Sequence, residues 1–238
     1  MKTKPPLIPR ANSEAGFTII ESLLAVIVVG ILIVAIGPVI ALSAATRIQA
    51  RRVDWATQAA RAYLDGIRSD TIAPPPVQTI GDRTKDKYVE KLKDIAAPTA
   101  GSLTCTVRTL RKGNNGTDVP YTDARSGYCT APTPGQSALY CVDGDNDGKC
   151  TNDNLKDFVV QASGVQNDST TANAKRGYFL GIRVYRADGF ADSVALKTDE
   201  QAKTFSGGFG DRKAPVLITI TEIIGSDTTY QNLKNQFE

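Results

Sequence analysis

The sequence of 238 residues contains no histidine. That absence excludes Ser-His-Asp and Cys-His nucleophile systems, His-ligated zinc and haem, and most general bases that operate near neutral pH. Charge of one sign is also missing: 28 Lys and Arg face 25 Asp and Glu, a net of +3, far from the basic excess of a nucleic-acid binder. No phosphate-binding P-loop and no dinucleotide-binding glycine fingerprint occurs. Aromatic residues make up 7% of the chain, with a single Trp, while hydrophobic and charged residues at 41% and 22% keep the composition globular. These gaps weigh against an ordinary enzyme and against a nucleic-acid partner.

What is present is a severe asymmetry. Residues 22–46 form a run of 25 without a single charge, and fourteen of them are Leu, Ile or Val. At roughly −0.3 to −0.6 kcal/mol for each such residue near mid-membrane, the run favours insertion by about 4–8 kcal/mol. About 20 residues at 1.5 Å each already cross the hydrocarbon core. A secretory signal peptide has an apolar region of only about 7–15 residues, although Ser43, Ala44 and Ala45 offer small residues for cleavage. A plain signal anchor is a second reading. The polar stretch in front, residues 1–16, holds three prolines and Lys2, Lys4, Arg10 and Glu14, so no helix continues through it. Arg47, Arg51 and Arg52 on the far side balance its basic residues, and charge alone leaves the orientation open.

The junction Gly16-Phe17-Thr18-Ile19-Ile20-Glu21-Ser22-Leu23 resembles the type IV prepilin signature. The resemblance implies cleavage after Gly16 by a prepilin peptidase on the cytoplasmic side and N-methylation of Phe17. It also implies a role for Glu21, pairing with the N-terminal amine of a neighbouring subunit during assembly. Independent of family, a carboxylate at the rim of an apolar span is costly to bury and calls for a partner, or else rests among headgroups. Gly30, Gly37 and Pro38 mark an expected helix break. In the pilin family this stretch tends to lose helicity on packing, whereas a tolerated membrane-helix proline is the plainer account. Further partners implied are other pilin or pseudopilin subunits and an inner-membrane assembly platform.

Beyond Arg47 the pattern becomes amphipathic. Ile48, Val53, Ala56, Ala59, Ala60, Tyr63, Leu64 and Ile67 recur at spacings of three and four, opposite Arg51, Asp54, Gln58, Arg61, Asp65 and Arg68. One helix over about 17–69, roughly 80 Å long, is expected. Pro74, Pro75 and Pro76 end it. A short helix over 86–95 and strands over 103–110, 138–142, 158–162, 178–186 and 215–224 follow, with turn-rich stretches at 112–118 and 164–176. The expected fold class is therefore α+β and pilin-like: a long N-terminal helix packed on an antiparallel sheet of about four or five strands. The expected divisions are a leader at 1–16, a transmembrane half-helix at 17–46, an amphipathic half at 47–71 and a head at 72–238.

Four cysteines, Cys105, Cys129, Cys141 and Cys150, all follow the span. An even count suggests two disulfides in one of three connectivities. Cys105–Cys129 and Cys141–Cys150 are favoured because each pair brackets a turn-rich segment. Disulfides favour a head on the oxidising side of the membrane; the resemblance implies that this is the periplasm, before assembly into a periplasmic or cell-surface filament. Inside the second bracket, Asp143, Asp145 and Asp147 with Gly148 match the opening of an EF-hand-type calcium loop. Asn154 stands where a bidentate Glu belongs, and the preceding ALYCV reads as strand. A calcium-binding β-loop completed by the Lys149 carbonyl and by Asp153 or Asp157 competes with a metal-free acidic turn. Some pseudopilins hold a stabilising calcium, which favours the metal.

Arg108, Arg111 and Lys112 beside residues 113–116 read as a solvated face, and residues 207–210 as a flexible loop. The head lacks the C-terminal disulfide loop usual in major pilins, which points to a minor pilin or pseudopilin serving secretion or motility, without catalysis. The runs ATRIQARRVDWATQAARAYLDGIR, DGDNDGKC and RVYRADGF look most like cyanobacterial pseudopilins of hormogonium polysaccharide secretion. Two other classes stay open. One is a membrane-anchored, calcium-dependent ligand-binding ectodomain that does not polymerise. The other is an anchored hydrolase using paired carboxylates, with Asp123, Asp188, Asp192 and Asp211 as candidates.

Overall fold

The computed structural model describes residues 18–81, 85–105, 111–112, 118–119, 127–132, 136–166, 172–198, 200–202, 211–230 and 234. The leader, Gly16, Phe17, Arg108, Asp123 and the loops 113–116 and 207–210 lie outside them. The chain divides into two units, one ending at Ala44 and the other Ala45–Glu238.

Helix α1 spans Ile19–Arg68. Thr18 caps it: its Oγ1 and carbonyl oxygen both accept from the Glu21 N–H, at 3.3 and 3.1 Å. In the first unit the helix is apolar all round and its side chains are exposed, Leu23, Ile31 and Val39 among them. The helix is long and apolar enough to cross a membrane. In the single chain it runs on through Gly30, Gly37 and Pro38 as one helix. A proline removes one N–H donor from a ladder of dozens, and neither glycine has a neighbour within 4 Å to force a bend.

In the second unit α1 covers one face of a five-stranded sheet. Its strands are β1 (Val77–Thr79), β6 (Ala138–Val142), β7 (Phe158–Gln166), β8 (Tyr178–Arg186) and β9 (Leu217–Ile223). Helix α2 (Lys85–Lys93) and the two-residue strands β2 (Thr104–Cys105), β3 (Arg111–Lys112) and β4 (Asp118–Val119) precede β5 (Cys129–Ala131). β2 pairs with β5, and β3 with β4. Strand β7 is the axis. It pairs antiparallel with β8 along one edge, from Phe158↔Arg186 to Val165↔Phe179. Its other edge is shared, first with β6 (Val142↔Phe158 to Ala138↔Ala162) and then with β1 (Val77↔Gly164 to Thr79↔Gln166). Because β1 joins in parallel, the sheet is mixed rather than purely antiparallel. β7 also runs four residues beyond the expected strand, into the stretch read as turn. Gly164 permits this, since a Cβ there would press on Tyr178 and Val77 at 2.8 Å.

The strand alternation sorts the two faces. Tyr178, Leu180, Ile182 and Val184 point towards α1, where Ala56, Ala59 and Ala60 let the helix approach closely and Tyr63 and Ile67 fill the rest. On the opposite face Phe179 and Val165 pack under Tyr88, Leu92 and Ile95 of α2 and its exit. Arg183 closes that layer. Its guanidinium donates to the carbonyls of Leu92, Lys93 and Ile95 at 3.3, 2.7 and 2.7 Å and so caps the end of α2. The disulfides are Cys105–Cys129, which ties β2 to β5, and Cys141–Cys150.

Candidate metal centre

The turn that follows β6 is built around one carboxylate. Asp143 Oδ1 accepts from the N–H groups of Asp145 and Asn146 at 3.2 and 2.7 Å, and Oδ2 from that of Gly148 at 2.8 Å. Such self-bonding is what Asp does best in a turn. Asn146 and Gly148 take positive φ angles of 62° and 80°, which their residue types tolerate. The Cys141–Cys150 bridge clamps both ends of this turn.

A second strand end brings in the third carboxylate. Asp157 immediately precedes Phe158, the first residue of β7, and is fully buried. Its Oδ1 accepts from Gly144 N–H at 3.1 Å, and its backbone carbonyl accepts from Ala187 N–H at 3.0 Å. Gly144 rests against the Lys156 carbonyl so closely that a Cβ would overlap it. One oxygen each from Asp143, Asp145 and Asp157 lies within 4.8 Å of the others. Asn154 Nδ2 holds the Asp145 carboxylate at 3.2 and 3.3 Å, and Lys156 Nζ stands 3.9 Å away.

The three carboxylates fit a metal ion, and a specific atom says so. Asp157 Oδ2 is buried and has no hydrogen-bond partner. A buried carboxylate oxygen without a donor is costly, and it demands an explanation. Burial first, and then the charges of Asp143 and Asp145, push the Asp157 carboxyl up to about 6. A hard divalent cation among these carboxylates would compensate the buried charge of Asp157 and the repulsion from Asp143 and Asp145. The cluster can bind a metal ion.

Of the carboxylates expected from sequence, Asp143 and Asp145 converge, joined by Asp157. Asp147 does not join them. It turns outwards, accepting from Lys149 N–H at 2.8 Å, and Lys149 is exposed. Asp153 is exposed as well, and a hydrogen bond from the Thr151 side chain holds its carboxyl below the ordinary range. The sequence signal for Asp157 is its position at the head of a strand otherwise apolar for several residues, where a carboxylate needs a reason.

Of the carboxylates named for a hydrolase, Asp123 lies outside the described residues, and the other three, Asp188, Asp192 and Asp211, are engaged in ion pairs. Asp188 is buried against Arg186. Asp192 meets both Arg212 and Lys213, and the Lys213 hydrogen bond lowers its pKa. Asp211 meets Lys197 at 2.7 Å and is lowered by that contact.

Asp157 makes stability depend on pH in a defined sense. Its folded pKa, about 6, lies above the usual unfolded carboxyl value of about 3.9. Protonation therefore favours the folded state: the contribution is complete below the unfolded value and disappears as pH rises through 6. Without histidine no imidazole titrates in that window, and the lowered Asp153, Asp192 and Asp211 act only at more acid pH. Metal-free protein should melt at a higher temperature at pH 5 than at pH 7. A flat or opposite profile in scanning calorimetry would contradict the burial of an uncompensated Asp157. No family model, no curated protein and no solved structure matches the chain.

Proposed function

We propose that this protein is a type IV pilin-like subunit, of the minor pilin or pseudopilin kind, that works by assembling into a filament of a pilus or type II secretion-like machine. The observation that carries the reading is the start of α1. A Thr-capped helix opens with Glu21 in its first turn and continues directly into an uncharged, fully exposed run. An isolated acidic side chain at the rim of such a run calls for a counter-charge, which a neighbouring subunit's N-terminal amine would supply. The exposed apolar surface needs first a bilayer and then other copies of the same helix to cover it.

On this reading a prepilin peptidase cuts after Gly16 and methylates Phe17, and an inner-membrane platform adds the subunit to the fibre. The head lies in the periplasm, consistent with its two disulfides. The chain then performs no catalysis. We further propose calcium as the ion of the Asp143, Asp145 and Asp157 centre, since its three carboxylates offer hard oxygens, the chain has no histidine and the cysteines of the turn are joined in a disulfide. Its task is to hold the turn between β6 and β7 against the sheet.

The intact mass and N-terminal sequence of protein extracted from host membranes test the processing step. The expected chain begins at Phe17 and carries one extra methyl group. A chain beginning at Met1, or after Ala45, would overturn the proposal.

A further inference from the structure

The chain has one tryptophan, and it is out of place. The large side chains of the second unit are mostly buried, whereas Trp55 is 44% exposed on the surface of α1. It opens onto a cleft of about 570 Å³ that lies entirely within the second unit. On one side is α1, with Trp55, Gln58, Ala59 and Ala62; on the other is the metal-centre turn, with Gly144, Asp145 and Lys156. Val142 and Phe158 add to the apolar part of the lining.

The polar groups around the ring are held in place before any ligand arrives. Gln58 Nε2 donates to Asp54 at 2.8 Å, and its Oε1 is a further acceptor. Asn154 fixes the Asp145 carboxylate, and the Lys156 ammonium stands beside it. Among the described residues the indole N–H of Trp55 makes no hydrogen bond. The cleft thus offers an aromatic surface, two acceptors and two donors, with the charges of Asp145 and Lys156 cancelling. Net neutrality disfavours an anion, and the polar wall disfavours an acyl chain. A neutral ring with an apolar C–H face and a hydroxyl rim matches both halves.

We infer that this cleft is a binding site for a neutral saccharide unit, which rests on Trp55 and is hydrogen-bonded through its hydroxyls by Gln58, Asp145 and Lys156. The site goes beyond assembly and touches the metal reading only through Asp145, whose position the ion would stabilise.

The test uses the full chain in phosphatidylcholine nanodiscs, free of sugar-based detergent, labelled and applied to an array of neutral oligosaccharides. Wild type, Trp55→Ala and Trp55→Phe are compared in calcium and in chelator. Wild type should bind members of the array, with affinity falling about tenfold or more in Trp55→Ala and less in Trp55→Phe, a loss of the order an aromatic contact supplies. Trp55→Ala must keep the wild-type melting temperature, so that loss of binding is not loss of fold. No bound saccharide for wild type, equal binding by Trp55→Ala, or Trp55-dependent association of nanodiscs without sugar would each overturn the inference, the last in favour of a second copy as occupant. Saccharide binding that persists in chelator keeps the cleft and removes only the contribution of the ion.

Discussion

Asp157→Asn is expected to raise the melting temperature of the calcium-free protein and to abolish the further rise that calcium brings to wild type. The two effects have opposite signs because they share one carboxylate. In the metal-free protein Asp157 is buried with Oδ2 unpaired, beside two further carboxylates. Asparagine keeps an acceptor for the Gly144 N–H and removes the charge. At pH 7, above the raised carboxyl value of about 6, the gain should be about 1–3 kcal/mol, from removal of the uncompensated buried charge. For wild type, calcium at a hundredfold excess over Kd stabilises by about 2.7 kcal/mol. In a domain of this size that is roughly 5–10 °C in Tm. Thermal unfolding of both proteins in chelator and in calcium reads all four values. A variant that still responds to calcium like wild type would remove Asp157 from the centre, and a wild type indifferent to calcium would remove the ion.

Glu21→Ala should leave the protein in the membrane with both disulfides formed and reduce filaments by about a hundredfold or more. Breaking a buried ion pair by deleting one partner costs about 3–5 kcal/mol, because the other charge is left without compensation. At about 1.4 kcal/mol per factor of ten, that loss is enough to stop assembly. Insertion itself becomes easier without the carboxylate. Glu21→Gln separates the possible causes: it keeps hydrogen bonding and loses the charge, so it should fail as Ala does. Electron microscopy of sheared surface material and membrane fractionation supply the two readouts. Filaments in normal number from Glu21→Ala would sink the assembly proposal and leave an anchored head whose work is ligand binding.

Some of this was legible without coordinates because the signals are local. The uncharged run at 22–46 is a matter of composition, and the stripe from Val53 to Ile67 follows from helical spacing. Strands β8 and β9 are continuous β-branched and aromatic runs bounded by breakers. The two cysteine pairs bracket turns in sequence, and both bridges form as that bracketing suggests.

Other features depend on distant partners. The last residues of β7 contain Gly164 and polar side chains and read as turn; they become strand because β1, more than 80 residues earlier, supplies hydrogen bonds along their free edge. Nothing in the local pattern of Val77–Thr79 says that it pairs in parallel. Arg183 sits in a strand that otherwise reads as apolar, and its purpose appears only when α2 ends above it with three carbonyls to cap.

The centre divides in the same way. By itself the sequence determined an apolar N-terminal helix, two bracketing cysteine pairs beyond it and an acidic turn starting at Asp143, because charge, period and cysteine spacing act over a few residues. Only the tertiary structure decided which carboxylates meet. The chain direction after Cys150 brings Asp157 back beneath the turn, and the pairing of β6 with β7 fixes it there, while Asp147 and Asp153 turn to solvent. Metal ligands must converge within a few ångströms, and convergence across a hairpin is a property of strand register that no spacing in the sequence displays.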